Sequence, residues 1–425
     1  MNKLYMLFFA GLLTLPCAAQ PSPDICGDWE VKGPTHSLTQ TRLWITMSSA
    51  GGLKAVIHSP YGDPEPVLFT SAVFENSALT LSIESLHIYY KGELSSDGNS
   101  IAGSWSKGKK SEVLDFHRAL DAQPVTVESL EQTLAAASGK PDAQVAEQLY
   151  GLKLTERLSP NRLARFEVDL PGPQAKQALI AISDRSAFLD PPATEILAVE
   201  KPDRAAQDKM LALTADNVAK TIHHLPNLFA TRITTTFERD QRFNTSLHSV
   251  GIYNAVVFYR DGHEMQQTSA SQVESGLTTR GEFGPIINTV MLDIAKDNLI
   301  WSHWERGAMG PEAIFRYAVD SNHSHYEVEG KVSGYLGEIA IDPSDGTILR
   351  VSLRADMEPS NPLLVADLMV EYGPEELGGK SYICPKKGVA LSQGLQLQWL
   401  NDVVFEKYHL FSASTRILPG ARPIN

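Results

Sequence analysis

Cysteine is scarce in this sequence. Only Cys17, Cys26 and Cys384 occur in 425 residues, which excludes the dense disulfide framework that stabilises many small secreted domains. Cys17 lies in the N-terminal leader described below, so two cysteines remain after it. For Cys26 and Cys384 two interpretations stay open: a disulfide that ties the first region of the chain to the last, or two separate thiols.

Positive charge is outnumbered by negative charge. The chain has 37 Lys and Arg against 50 Asp and Glu, for a formal net charge of −13. An acidic balance without a basic cluster argues against nucleic acid and against an anionic membrane surface as partner. No run of about 18 apolar residues follows the leader, so we predict no transmembrane segment.

Recognisable catalytic motifs are missing as well. The sequence contains no nucleophile elbow, no phosphate-binding loop and no dinucleotide fingerprint. We therefore assign no catalytic residue, no cofactor-binding residue and no cofactor, and we favour a protein that is not an enzyme.

The first 19 residues have the layout of a secretory signal peptide. Lys3 supplies the positive charge, residues 4–15 form the apolar stretch, and Cys17-Ala18-Ala19 is a small-residue cleavage site. We predict cleavage after Ala19 and a periplasmic or secreted location. A lipid anchor on Cys17 is the alternative.

The remaining chain divides into three predicted regions. Residues 24–118 contain short alternating strands separated by Gly, Asn, Asp and Ser, and Asp97-Gly98 is typical of a hairpin turn. This pattern predicts a small antiparallel β-barrel. Residues 124–200 show apolar spacing of three and four, with Thr126 as a helix cap and Pro160 as a first helical residue.

Residues 204–418 return to strands after one more helix, and a short helix is predicted at "FGPIINTVMLDIAK". The fold class is therefore α+β: an N-terminal antiparallel β-barrel, a helical middle segment, and a C-terminal curved antiparallel β-sheet, half-barrel-like, with helices. "DPSDGT" at 342–347 joins two of its strands. The residue types form turns and lack the late acidic ligand of a calcium loop, so we predict a turn.

Strand periodicity suggests which residues face a ligand. In "TILRVSLRAD" Leu349, Val351 and Leu353 are predicted to share a buried face, and the alternating residues to face water. Together with Trp301 and Trp304 they are candidate ligand-lining residues.

Two histidine-containing stretches are the candidate chemical sites. "SNHSHYEVEG" is predicted to place His323, His325 and Glu327 on one strand face, a weak candidate for a metal site that we do not assign. In "WSHWERG", His303 and Glu305 could form a general base, although a structural cluster is the alternative.

Residues 126–395 resemble a group of uncharacterised secreted proteins abundant in acidobacteria. The stretches that carry the resemblance are "LTERLS", "SAFLDPP", "HHLPNLFATRITTTFE", "GEFGPI", "WSHWE", "GEIAIDPSDGTILR" and "VEYGPEELGGKSYICP". Similar sequences often have a cysteine where this chain has Ala230. If that cysteine pairs with the one in "YICP", the resemblance implies that Cys384 has lost its partner here, and either Cys26 substitutes for it or Cys384 is free.

Two further resemblances concern architecture. Gly27-x-Trp29, "HSP" and "KGELSSDGNSIAGSWSKG" resemble a small β-barrel module of secreted bacterial proteins, which implies no enzyme activity. The succession of "DPSDGTILR", "VEYG" and "GGKSYICP" is similar to periplasmic lipoprotein-carrier proteins, whose curved sheets hold an acyl chain. This likeness is one of topology only.

Three functional hypotheses follow. The first is a non-enzymatic protein that binds a lipid, an acyl chain or a hydrophobic polypeptide segment. The second is an envelope protein–protein interaction module that uses an apolar patch around "LYGLKL" or "SAFLDPP". The third is a hydrolase or metal-dependent enzyme built on His303, Glu305, His323 and His325. The oligomeric state stays open.

Overall fold

The computed structural model describes most of the chain after the leader. The described residues are 25–31, 41–47, 52–58, 67–119, 122–221, 225–240, 246–261, 263–267, 277, 279, 281–294, 299–308, 310–357, 363–394 and 397–411. The predicted signal peptide therefore lies outside them. The chain divides into two compact units, Met1–Thr46 with Leu53–Arg118, and Met47–Gly52 with Ala119–Asn425.

The first unit is a single antiparallel sheet of ten strands. In chain order they are β1 (Gly27–Val31), β2 (Arg42–Met47), β3 (Leu53–His58), β4 (Val67–Leu68), β5 (Ser71–Glu75), β6 (Ala78–Ile83), β7 (Ile88–Leu94), β8 (Ser100–Lys107), β9 (Lys110–Val113) and β10 (Phe116–Arg118). The spatial order is β4-β3-β2-β1-β10-β8-β7-β6-β5, with β9 paired to β8. Strands β3 and β5 also contact each other, so the sheet curls back on itself.

The core of this unit is formed by strands along which buried and exposed residues alternate. Along β7 every second side chain is buried, as expected for a strand with one face on the core. Trp29 is fully buried and its indole N–H donates to the Ile25 carbonyl at 3.1 Å. The Tyr90 ring lies so close to Gly103 that a Cβ there would collide with it.

The predicted hairpin at Asp97-Gly98 is confirmed between β7 and β8. Gly98 has φ +71°, a left-handed conformation that glycine adopts without steric cost. The Asp97 carboxylate accepts hydrogen bonds from the Asn99 N–H at 3.1 Å and the Ser95 hydroxyl at 2.5 Å. These contacts fix the turn locally.

The second unit combines helices with a large sheet. Its helices are α1 (Val127–Ala136), α2 (Asp142–Tyr150), α3 (Pro160–Val168), α4 (Pro173–Arg185), α5 (Arg204–Thr221) and α6 (Pro285–Asp293). Its strands are β11 (Gln123–Val125), β12 (Leu152–Leu154), β13 (Leu228–Asp240), β14 (His248–Arg260), β15 (His263–Gln267), β16 (Ile300–Arg306), β17 (Pro311–Val319), β18 (Glu327–Val328), β19 (Lys331–Val332), β20 (Gly334–Ile341), β21 (Ile348–Asp356), β22 (Leu363–Leu377), β23 (Lys380–Gly394) and β24 (Leu397–Leu410). None of the helices in the described ranges is long and apolar enough to cross a membrane.

The predicted helix starts are confirmed. The Thr126 hydroxyl accepts the Ser129 N–H at 3.1 Å at the beginning of α1, which satisfies one of the backbone donors that a helix leaves unpaired. Pro160 is the first residue of α3, where its missing N–H costs nothing. Local sequence thus defines where these helices begin.

The sheet of this unit is a curled antiparallel half-barrel, and the α+β fold class is confirmed. Its ten strands follow the order β15-β14-β13-β24-β23-β22-β21-β20-β17-β16. Both faces carry helices. We call the face that packs against α5 and α6 the α6 face, and the face that packs against the helical segment the α4 face.

The α6 face holds the largest apolar cluster. Val351 and Leu353 of β21 are buried there with Phe315 of β17 and Val370 of β22. Helix α6 adds Val290, which is fully buried in the same cluster. Burial of each such side chain contributes on the order of 1.5–3 kcal/mol, so the centre of the half-barrel is a packed core.

The α4 face corrects one expectation from the sequence. Arg350 and Ser352 alternate with the core residues of β21, and the alternation predicted that they meet water. Both are instead buried, because the helical segment covers this face as well. Phe237 and Leu400 pack there against Ala181 of α4.

Leu349 also departs from the predicted alternation. Ala340 pairs with Arg350, but the next residue of β20, Ile341, pairs with Ile348. Leu349 is therefore the extra residue of a bulge, and Ile348 takes a place in the core cluster that alternation assigned to Leu349.

The turn at 342–347 is confirmed and has a packing role. The Asp342 carboxylate accepts the Ser344 N–H at 2.8 Å, and the Asp345 carboxylate accepts the Thr347 N–H at 2.8 Å. Gly346 has φ +79°, and a Cβ at this position would collide with the backbone of α5. The turn is thus the surface on which α5 rests.

Gly346→Ala should destabilise the second unit by roughly 3 kcal/mol, because the left-handed conformation is strained and the new Cβ meets the backbone of α5. Gly379→Ala is the matched control. Gly379 has φ +77° with nothing within 4 Å of a Cβ, so it should cost only about 1 kcal/mol. Urea unfolding measures both, and equal losses would contradict the close contact with α5.

Candidate functional site

A cleft lies on the α6 face near the beginning of β22 and the end of β23, where the β18–β19 hairpin approaches these strands. Its volume is about 530 Å³, within the range of pockets that hold small ligands, roughly 300–1,000 Å³. Leu368 and Ala390 belong both to the core cluster and to the lining of the cleft. The cleft therefore begins where the packed core ends.

Small side chains on neighbouring strands form the sheet side of the cleft. Ala366 pairs with Ser392, and Leu368 pairs with Ala390. Ser392 also pairs with Trp399 of β24, so the five residues form one continuous surface across three strands. Because three of them are alanine or serine, they leave space that larger side chains would fill.

The other sides of the cleft come from different parts of the chain. Tyr326 and Val328 belong to the β18–β19 hairpin and its approach, Leu277 precedes α6, and Leu363 begins β22. Tyr326 packs against Tyr335 with ring centroids 5.7 Å apart. These residues supply the apolar and aromatic part of the lining.

Asp293, the last residue of α6, anchors the hairpin wall. Its side chain is fully buried and accepts hydrogen bonds from the Tyr335 hydroxyl at 2.8 Å and the His325 N–H at 2.9 Å. The His325 ring Nδ1 lies 2.5 Å from the same carboxylate. One carboxylate thus fixes the segment that leads into Tyr326.

The described charged residues that line the cleft are acidic. Glu327 and Glu329 are exposed at its margin, and Asp367 is buried beside Ala366 and Leu368. Burial raises the pKa of Asp367 to about 6, although the charge of Arg354 and its hydrogen bond oppose this shift. Burial likewise raises the pKa of Tyr326 to about 12.

The residues proposed for a weak metal site do not share a strand face. His323 ends a short 3-10 helix, and the strand begins only at Glu327. The two contacts of His325 with Asp293 explain why these residues do not share a strand face, because they hold His325 outside the strand. Within the described ranges, no group of three or more His, Cys, Asp or Glu side chains is arranged to hold a metal ion.

The residues proposed to line a ligand site lie elsewhere. Val351 and Leu353 are core residues under α6, and Trp301 and Trp304 pack against that core with ring centroids 4.9 Å apart. Together with Leu349, none of them lines the cleft. Their role in ligand binding stays a prediction.

A buried ion network lies on the α4 face. Arg157, from the segment before α3, donates to the Glu305 carboxylate at 2.5 Å, and Arg350 approaches the same carboxylate oxygen at 3.3 Å. All three side chains are less than a tenth exposed. Arg157 is also 3.7 Å from Glu338, so the network joins the helical segment to three strands.

His303 belongs to this network. Its ring Nε2 lies 3.6 Å from the Glu305 carboxylate, and its Nδ1 lies 2.9 Å from the Ser302 hydroxyl. Burial opposes ionisation of Glu305, but the nearby His303 ring and the charges of Arg350 and Arg157 outweigh it and lower the pKa of Glu305. The carboxylate is thus held ionised by two guanidinium groups.

The four residues of the enzyme hypothesis fall into separate networks. His303 and Glu305 interact with each other, whereas His325 interacts with Asp293. His323 is exposed. Sequence reasoning missed Arg157 and Arg350 as partners of Glu305, because both are far from Glu305 in the chain.

The segments proposed as an exposed contact patch are mostly buried. Leu149, Leu152 and Leu154 belong to the core of the helical segment. Ala187 packs against the α4 face of the sheet. This finding corrects the expected exposure of "LYGLKL" and "SAFLDPP".

The two cysteines lie in different units of the chain, and the disulfide between Cys26 and Cys384 stays a prediction. Cys384 is fully buried in a cluster that also contains Ala230. Burial raises the pKa of the Cys384 thiol to about 12, so the thiolate, the reactive form, is disfavoured. Cys26 lies in the first unit, at the start of β1.

The fold and the cleft define a mixed α+β protein with a half-barrel sheet and a ligand-sized opening. No protein-family model and no curated protein matches the chain. Among solved structures, the chain is similar to a DUF1329 family protein from Desulfovibrio piger ATCC 29098, at 11% identity and a TM-score of 0.24. The match covers 51% of this chain and 96% of that one. At this TM-score the likeness assigns neither fold nor function.

Glu305→Gln should destabilise the protein by about 3–5 kcal/mol, because it removes the carboxylate that two buried guanidinium groups share. The matched control is Glu131→Gln. Glu131 pairs with Arg165 on the surface, where the side chains are 49% and 60% exposed, so its loss should change stability by at most about 1 kcal/mol. Denaturant unfolding measures both variants. Similar losses would contradict a central role for the network.

Asp367→Asn should remove part of the pH dependence of stability. The pKa of Asp367 is raised from 3.8 to about 6 on folding, so the folded protein binds this proton more tightly than the unfolded chain. The stabilisation is therefore complete at pH values below 3.8 and is lost as the pH rises through about 6.

Relative to Asp367→Asn, the free energy of unfolding of the wild type should fall by about 1–3 kcal/mol over that pH range. Urea unfolding at a series of pH values measures the difference. Asp208→Asn, an exposed substitution on α5, should give a pH profile parallel to the wild type. If the difference in the free energy of unfolding between the wild type and Asp367→Asn is the same at every pH, the pKa of Asp367 is not raised on folding.

Proposed function

We propose that this protein is a non-enzymatic binding protein that holds the apolar chain of a lipid or another hydrophobic ligand in the cleft. The observation that carries the proposal is the cleft itself, about 530 Å³ of space at the edge of the packed core on the α6 face. We also propose a periplasmic or secreted location, which the N-terminal leader supports.

The lining explains why an apolar chain is the favoured occupant. Aliphatic surface comes from Leu277, Val328, Leu363 and Leu368. The small side chain of Ala390 leaves space above the sheet. Burial of each methylene group of a ligand against such a surface contributes about 0.8 kcal/mol. A chain of several methylene groups therefore gains enough free energy to bind without a specific polar anchor.

The surrounding structure holds the cleft open before a ligand arrives. Asp293 fixes the hairpin wall through Tyr335 and His325. Ser333 donates to the Asp356 carbonyl at 3.0 Å and so attaches β19 to the end of β21. A preformed wall lowers the ordering cost of binding.

Ser392→Phe should weaken binding of a decyl chain at least tenfold, because the new ring would occupy the floor of the cleft. The probe is decyl maltoside below its critical micelle concentration, with affinity measured by isothermal titration calorimetry. Native mass spectrometry and lipid analysis of protein purified from the cell envelope test for a bound natural ligand.

Ser381→Phe is the matched control for this experiment. Ser381 is exposed on the same strand, β23, outside the cleft, so its affinity should match that of the wild type. Leu363→Ser, at a half-exposed position in the lining, gives a second test if Ser392→Phe does not fold. Undetectable binding by the wild type, or wild-type affinity in both lining variants, would overturn the proposed function.

A further inference from the structure

The charges around the cleft indicate what kind of head group its ligand carries, an inference that rests on the proposed function. Among the lining residues that the structure describes, three are acidic, Glu327, Glu329 and Asp367, and none is Lys, Arg or His. A carboxylate or phosphate head at this site would face like charges, whereas a cation would be attracted.

Three described basic residues close to this site have contacts of their own or lie outside the described lining. Arg354 donates to Asp367 at 3.2 Å and offsets that carboxylate. Arg232 donates to the Thr279 hydroxyl at 2.8 Å and lies 3.3 Å from Glu282, within the core. Lys331 lies on β19, opposite Val328, and is not a lining residue.

Glu327 and Glu329 are therefore the charges that a ligand meets. Both are exposed, on either side of Val328 at the tip of the hairpin. Neither forms an ion pair with any residue in the described part of the chain. Their negative charge remains available to a bound cation.

Aromatic rings in the cleft also favour a cationic head group. Tyr326 and Trp399 both line the cleft. The face of an aromatic ring attracts cations, and recognition of quaternary ammonium groups commonly combines such rings with carboxylates. Tyr326 stays in place because the Ser324 hydroxyl accepts its N–H at 3.0 Å.

We propose that the ligand of this cleft is a cationic amphiphile, with an ammonium head between Glu327, Glu329 and the aromatic rings and an apolar tail over Ala366 and Ala390. The carboxylates at the margin select the head, and the small residues on the sheet admit the tail. Anionic amphiphiles with the same tail are disfavoured.

Three probes with the same ten-carbon tail test this inference: decyltrimethylammonium, decyl maltoside and decanoate. Isothermal titration calorimetry below the micelle concentration compares their affinities for the full-length mature protein. We expect decyltrimethylammonium to bind at least tenfold more tightly than decanoate, with decyl maltoside between them. Added salt should narrow this ratio, because the carboxylates are exposed to solvent.

The double variant Glu327→Gln with Glu329→Gln should reduce the ratio of decyltrimethylammonium affinity to decanoate affinity to about threefold or less. Glu128→Gln with Glu376→Gln removes the same charge from exposed positions outside the cleft and should keep the wild-type ratio. Because these four residues are exposed, the substitutions should not affect folding.

The outcomes separate this inference from the proposed function. Equal binding of the three probes, tighter binding of decanoate, or an unchanged ratio in the Glu327→Gln, Glu329→Gln variant would overturn the cationic ligand while the binding function stands. No binding of any probe to the wild type would overturn both.

Discussion

One buried carboxylate determines how the second unit is assembled. Glu305 is enclosed by Arg157 and Arg350, which come from the helical segment and from the middle of the sheet. Removing charges from water is costly, and only mutual attraction with good geometry offsets that cost. The helical segment therefore has one docking position on the sheet, set by these ion pairs rather than by apolar packing alone.

Different helices cover the two faces of the half-barrel. The α4 face is covered by the helical segment, with Ala181 packed on Phe237 and Leu400. On the α6 face, two helices cover the centre of the sheet, and Asp293 at the end of α6 positions the hairpin wall. The cleft is the part of this face beyond that cover. A packed core and an open cleft can coexist because they occupy different lengths of the same strands.

Much of the fold was predictable because its determinants are local. Thr126 and Pro160 mark helix starts through backbone rules that act within one turn, and Gly98 and Gly346 mark turns through their left-handed conformations. The alternation of apolar and polar residues along β21 correctly predicted that Val351 and Leu353 face the core. It failed at Leu349, because a bulge depends on the register of the neighbouring strand, which a single sequence does not reveal.

The sequence by itself determined the α+β class, the strand-rich and helical regions, and the turn at 342–347, since each depends on residues close together in the chain. Only the tertiary structure decided which charges are buried and where the cleft lies. Arg157 and Glu305 are 148 residues apart, and the floor of the cleft is formed by pairs such as Ala366 with Ser392 on different strands. Contacts of this kind depend on strand order and register, and no local pattern in the chain encodes either.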